Sequence, residues 1–311
     1  MSELLRATII ISMLTATIRM ATPLLLAALG ELMAERAGVM NLGVEGMMLM
    51  GAFVGFLVAN KTNSLGLAIA AAMLAGAAMS LIMAVMASTL KVDQVVTGLA
   101  LNLLSTGLTF YWYRVIYQNT PSTPTTHIFT VIPLPLLSKI PYLGEILFSQ
   151  YLLTYIALLM VPLIWLFLHR TKYGLLIRCL GENPRAVDVK GVNVTLVQYL
   201  AIAFGGLMAG LGGSFLTLAS AGLFVPEISA GRGWLAIVIV IAGNWKPARI
   251  LLAALVFAFL DAFQLQMQGL GVQLPYQLFL ALPYVFAILV MMSSRARSQA
   301  PQSLGVPYTR E

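Results

Sequence analysis

The sequence predicts an all-α polytopic membrane protein with about eight to nine membrane segments, some of them broken or re-entrant. Three observations carry that prediction. The chain is 60% hydrophobic and only 9% charged over 311 residues, with a mean hydropathy of +0.92. Soluble chains carry about 25% Asp, Glu, Lys and Arg, and so few charges cannot cover a water-facing surface. Apolar runs long enough to cross a bilayer, about 20 residues each, recur along almost the whole chain. Gly-containing interruptions fall inside two of these runs, one in each half.

Taken in order, the candidate spans are roughly 5–29, 42–59, 65–89, 95–117, 150–169, 195–220, 230–245, 249–267 and 275–293, by the length rule. No cleavable signal precedes the first, because Glu3 and Arg6 stand at its start and no small-residue cleavage site follows. Two connections are sizeable. Residues 118–149 hold five prolines and one basic residue, Lys139; residues 170–193 hold Arg170, Lys172, Arg178, Arg185 and Lys190. Basic residues collect on the cytoplasmic side, so 118–149 is an outer loop and 170–193 a cytoplasmic one. Lys246, Arg249 and a polar tail at 294–311, with Arg295 and Arg297, then fall inside. Residues 1–293 form a single transmembrane domain on this reading. Counting backwards puts the N-terminus outside, which strands Arg6 and Lys61 on the less favoured side. The net charge of +7 is accounted for by these loops, without nucleic acid.

The segments AGVMNLGVEGMMLMGAFVGF (37–56) and ASAGLFVPEISAGRGWLAIVIVIAG (219–243) are both apolar, both broken by glycine and both contain an acid. Paired breaks of this kind point to an internally repeated transporter with a central site; the competing explanation is close helix packing through small residues. In LGENPRAVDV (180–189), Asn183 suits a helix cap and Pro184 a first helical position. Glu182 complements the positive end of the helix and Gly191 is a stop. About two turns of helix result, either an ordinary solvated loop helix or a docking knob for a cytoplasmic partner.

Polar residues inside spans are the candidates for a pathway, since such groups face a cavity or a neighbour. Asn41 and Glu45 are four apart and share a helical face. They either hydrogen-bond a solute or, through Glu45 with Arg36 or Arg19, hold the broken helix together. Asn102, with Ser105 flanking the same face, lines a pathway or makes an interhelical hydrogen bond. Trp234 stacks on a ring solute or anchors the interface. Asp261, with Gln264 on its face, lines a cavity or a permease interface, or pairs with another span. Phe110 to Tyr113 read as an interfacial aromatic belt. One cysteine and two histidines exclude a disulfide framework and a Cys/His metal cluster. No nucleophile, zincin or paired-aspartate motif supports an intramembrane enzyme. A self-contained secondary transporter, with Glu45 and Asp261 as coupling acids, leaves the charged segment at 181–189 without a purpose.

Three stretches carry a resemblance. GENPRAVDVKGVN, followed by AFGGLMAGLGGSFLTLASAG, resembles the coupling segment and following helix of ABC-importer permeases for simple sugars, nucleosides and branched-chain amino acids. ALGELMAERAGVMNLGVEGMMLMGA resembles the same permeases, in particular the nucleoside branch that works with basic membrane lipoproteins. GRGWLAIVIVIAGNWKPARILLAALVFAFLDA resembles their late region. The three occur in family order across residues 20–290. The resemblance implies a multi-pass subunit of a bacterial cytoplasmic membrane that forms the pathway for nucleosides or related simple sugars. Branched-chain amino acids or another small solute are the alternative cargo. It implies that Gly181, Glu182, Asn183, Pro184, Arg185 and Ala186 couple the pathway to a separate ATPase. The sequence contains no G-x-x-x-x-G-K-[ST] loop, so no cofactor is expected on this chain and ATP is expected on partner P-loop subunits. A second, related permease, an extracytoplasmic substrate-binding lipoprotein and the lipid bilayer complete the expected partners.

Overall fold

The computed structural model describes residues 2–118, 123–135, 137–269, 276–294 and 299–309. Among them, α1 (Ser2–Arg36), α2 (Val44–Thr62), α3 (Leu65–Ala84) and α4 (Gln94–Tyr117) come first, with a π-helical turn, Val85–Thr89, ending α3. A small outer hairpin, β1 (Ile132–Pro133) and β2 (Ser149–Gln150), encloses α5 (Leu143–Leu147). Then follow α6 (Leu152–Arg170), α7 (Lys172–Glu182), α8 (Pro184–Asp188) and α9 (Val194–Phe215), which runs into a second π-helical turn, Leu216–Ala221. The chain closes with α10 (Arg232–Ala242), α11 (Pro247–Gly269) and α12 (Tyr276–Ser294).

Among the described residues, seven helices are long and apolar enough to cross a membrane, and the remaining two expected spans are also helical. The physical reason is general: hydrocarbon offers no partner to backbone N–H and C=O groups, so each segment satisfies them internally. Short polar residues mark the ends. The Asp93 carboxylate accepts from Val95 N and Val96 N, each at 2.9 Å, and opens α4. Asn193 Oδ1 accepts from Leu196 N at 3.0 Å and opens α9.

Helix α9 lies at the centre, packed against α1, α2 and α3. Five glycines in its AFGGLMAGLGG stretch let the neighbouring helices approach closely. A Cβ on Gly30 of α1 would sit 2.8 Å from both Gly205 O and Met208 Cβ. Apolar burial drives little association between helices in lipid, so close backbone packing through small residues supplies the cohesion. The outer surfaces of α3 and α4 stay apolar, with Leu74 66% and Leu103 76% exposed.

The contacts also assign sides. Arg36 Nη2 donates to Trp245 O at 2.8 Å, Met40 N to Gln94 Oε1 at 2.7 Å, and Ser303 N to Gly181 O at 2.9 Å. One face therefore gathers the C-terminal end of α1, the α3–α4 turn, α7, the α10–α11 turn and the tail. This face carries Arg36, Lys91, the basic loop 170–193, Lys246 and Arg249, so it is the face that the positive-inside rule expects in the cytoplasm. The opposite face joins Asn60 to Thr125 O at 2.9 Å and Thr126 N to Gly222 O at 2.9 Å. The amino-terminal end of α1 lies on that outer side. Lys61 lies there too, in the last turn of α2, where the helix dipole favours a cation. The positive-inside bias is a sum over loops, so one dissenting lysine does not reverse it.

The cytoplasmic segment holds more structure than expected from its sequence. Besides α8, it contains the amphipathic α7, which buries Gly174, Ile177, Leu180 and Gly181 against the inner face. Helix α8 is shorter than the two turns expected, but its start is as read: Asn183 Oδ1 accepts from Ala186 N at 3.2 Å, and Pro184 takes the first turn. Gly191, past its end, has φ +79°. Arg295 and Arg297 lie outside the described residues.

Candidate functional site

Two interruptions shape the interior. After α1 the chain leaves the helix at Ala37–Gly43 and re-enters as α2. Gly38 makes the turn with φ +84°. Several backbone groups at this break are met by side chains. The fully buried Asn41 donates its backbone N–H to Glu31 Oε1 at 3.0 Å, and its Oδ1 accepts from Gly43 N at 3.2 Å. Asn102, from α4, accepts from Gly46 N at 2.8 Å and donates to Leu42 O at 2.9 Å. Ser105 is fully buried beside Gly46, where an added Cβ would lie 2.6 Å from Ser105 Oγ. Of the sequence candidates, the structure thus brings Asn41, Asn102 and Ser105 together at one place.

The second interruption, Gly222–Gly231, precedes α10. That helix has 11 residues, about 16 Å at 1.5 Å each, roughly half of the hydrocarbon thickness. The half-span begins inside the protein, and Glu45 closes its exposed end. Glu45 Oε1 accepts from Gly231 N at 2.9 Å and Oε2 from Gly233 N at 2.6 Å. Glu45 also stands in the first turn of α2, so one carboxylate serves the positive ends of two helices. It binds backbone amides rather than Arg36 or Arg19. The two breaks paired in the sequence therefore meet at this residue.

Above the second break, on the outer side, lies a cavity of about 610 Å³. It is walled by α1, the hairpin, the π-helical turn of α9 and the start of α10. Arg19, Tyr151, Phe215, Ser220 and Arg232 line it. A π-helical turn at such a wall is common at functional sites, and irregular backbone at membrane depth persists where it is buried in protein or lines a cavity. Trp234 is 37% exposed and lies outside this lining. Asp261 is half-buried on α11, within electrostatic reach of Arg232, and Gln264 is buried.

Sequence reasoning passed over a buried acidic pair on the inner half of α1. Glu31 holds Asn41, and Glu35 accepts a hydrogen bond from the indole of Trp245. The signal was present as two acids four residues apart in an apolar run, but their partners lie on other elements. Among the described residues, no group of three or more His, Cys, Asp or Glu is placed to hold a metal ion.

On the cytoplasmic face, Arg185 and Ala186 are exposed and Val189 is 89% exposed. The segment is braced from behind by the tail: Ser303 Oγ donates to Gly181 O at 2.6 Å, Gly305 N to Gly38 O at 3.1 Å, and Tyr308 OH to Asp188 Oδ2 at 2.9 Å. The tail thus ties α7 and α8 to the break after α1.

Residues 13–293 match the family described as branched-chain amino acid transport system, permease component. The guanosine ABC transporter permease protein NupQ of Bacillus subtilis is 35% identical over 304 residues, covering 95% of each chain. The nucleoside ABC transporter permease protein NupC of Lactococcus lactis is 32% identical, over 93% of this chain and 94% of its own. An ABC transporter permease protein of Haloferax volcanii named for glucose is 39% identical over 84% of this chain and 79% of its own. No solved structure matches. Permease components of ABC systems work with separate ATP-hydrolysing and substrate-binding subunits. With its seven span-length apolar helices, the chain belongs to this permease-component family and is a multi-pass ABC transporter subunit of the cytoplasmic membrane.

Proposed function

We propose that the chain forms the translocation pathway of an ATP-driven importer for nucleosides or related simple sugars. It pairs with a second, related permease, receives cargo from an extracytoplasmic substrate-binding lipoprotein, and binds no ATP of its own. ATP is held by partner P-loop subunits, whose closure is passed to the spans through Gly181, Glu182, Asn183, Pro184, Arg185 and Ala186. The observation that carries this reading is the capped, solvent-exposed α8, braced by the tail against the end of α1. A push on α8 then reaches the break that ends at Glu45, and Glu45 holds α10. The names of the relatives, for guanosine, nucleosides and glucose, support the cargo. Asn41, Asn102 and Ser105 serve the pathway as a rigid frame. Glu45 links the two breaks, and Trp234 and Asp261 serve the pathway from outside the cavity lining.

Reversing the charge at Arg185 tests the coupling. Arg185→Glu is expected to lower ATP-driven uptake by about tenfold, the scale of one misplaced interface charge, while the protein remains folded. Uptake in proteoliposomes, with ATP hydrolysis followed in parallel, reads this out. Wild-type uptake in that variant sinks the coupling assignment.

A further inference from the structure

The outer cavity presents two guanidinium groups that the helix frame does not consume. Arg19 lies with its guanidinium 5.0 Å from the centroid of the Tyr151 ring and gives its Nε–H to Gln150 Oε1 at 3.1 Å. Arg232 reaches the carbonyls of Ile228 and Ser229 at 3.4 Å through Nη1. These partners are all uncharged. Asp261 acts on Arg232 through its field, with no hydrogen bond between them among the described residues. A guanidinium has five N–H donors and no acceptor, so each keeps several donors for a solute. Unconsumed cations at membrane depth face water or a ligand. Tyr151 and Phe215 pack edge to face at 5.8 Å in the same wall, and Glu145 stands exposed on the lining.

We propose that Arg19 and Arg232 form an acceptor-reading pair that selects 6-oxopurine nucleosides, the guanosine and inosine class, in this cavity. The inference rests on the nucleoside reading above and narrows it. A 6-oxopurine shows two adjacent acceptors, O6 and N7, which an arginine fork meets with two hydrogen bonds. Adenine places an amino donor at the same edge, which a guanidinium cannot satisfy. The Tyr151 ring adds apolar contact area beside the base. Glu145 supplies the complementary acceptor for the N1–H of a 6-oxopurine. The cavity volume of about 610 Å³ falls in the range of about 300–1,000 Å³ typical of small-molecule sites.

The test compares initial uptake of labelled guanosine and labelled adenosine by the full transporter assembly in proteoliposomes. Wild type is set beside Arg232→Lys, Arg19→Lys and Arg232→Gln. The substrate-binding subunit is the same in every arm, so a change in the guanosine-to-adenosine ratio belongs to the permease. Lysine keeps the charge and loses the fork, which separates recognition from folding; co-purification with the ATPase subunits checks assembly. The lysine variant of whichever arginine forks O6 and N7 is expected to lower the ratio by about tenfold, the scale of one bidentate base contact, and the other by less. An unchanged ratio, or an equal loss for both nucleosides, overturns the proposal and leaves the nucleoside reading standing. A wild-type assembly that carries glucose and neither nucleoside overturns the nucleoside reading itself.

Discussion

The break before α2 and the break before α10 meet at one carboxylate, yet they are held by different means. Side chains from several helices fill the first: Glu31 from α1, Gln94 and Asn102 from α4, and Gln198 from α9, whose amide donates to Ala37 O at 3.5 Å. Its backbone visits positive φ once, at Gly38. The second folds mainly on itself. Positive φ occurs at Gly222, Glu227, Ala230 and Gly231, and its firmest side-chain anchor is Glu45. Non-glycine residues in that region cost on the order of 1–3 kcal/mol each. The comparison teaches that the inner break is a rigid frame, while the outer one, beside the cavity, stores strain and hangs on a single acid.

The largest effect is expected at the shared carboxylate. Glu45→Ala leaves two buried N–H groups at the start of α10 without an acceptor, and is expected to destabilise the detergent-purified protein by about 3 kcal/mol, at the upper end for bonds to a charged group. Thermal unfolding followed by loss of monodisperse protein measures it. Glu45→Gln, which keeps one good acceptor, is expected to fall between the two.

Next comes the frame itself. Asn102→Leu removes one acceptor and one donor from the inner break and is expected to cost about 2 kcal/mol. If it costs more than Glu45→Ala in the same assay, the outer break is the better held of the two and the contrast fails. The smallest effect has the opposite sign. Ala230→Gly relieves a left-handed residue, offset by the entropy of glycine, for a net gain of about 0.5 kcal/mol. A loss of stability there removes strain from the account of the outer break.

Much of this was legible before the structure. The nine apolar runs became helices because length and hydropathy leave hydrocarbon-embedded backbone no other option. Asn183-Pro184 marked the start of α8, since capping is a matter of adjacent residues. The amphipathic α7 was missed because its 11 residues are too short for the span-length rule that located the other helices. The role of Glu45 was also hidden. Nothing near it in sequence identifies two amides more than 180 residues away as its partners.

The sequence by itself determined which segments are apolar enough for lipid, the gathering of basic residues in the loop 170–193, the two breaks and the capped turn at 183–188. All of these follow from local composition and the transfer cost of polar groups into lipid. Only the tertiary structure decided what the polar residues do. It turned Asn41 and Asn102 into staples, gave Glu45 to α10, folded the tail onto α7, and brought Arg19 and Arg232 to one cavity. Such choices depend on which helices lie side by side, and that is set by glycine-lined packing around α9 rather than by any single stretch of chain.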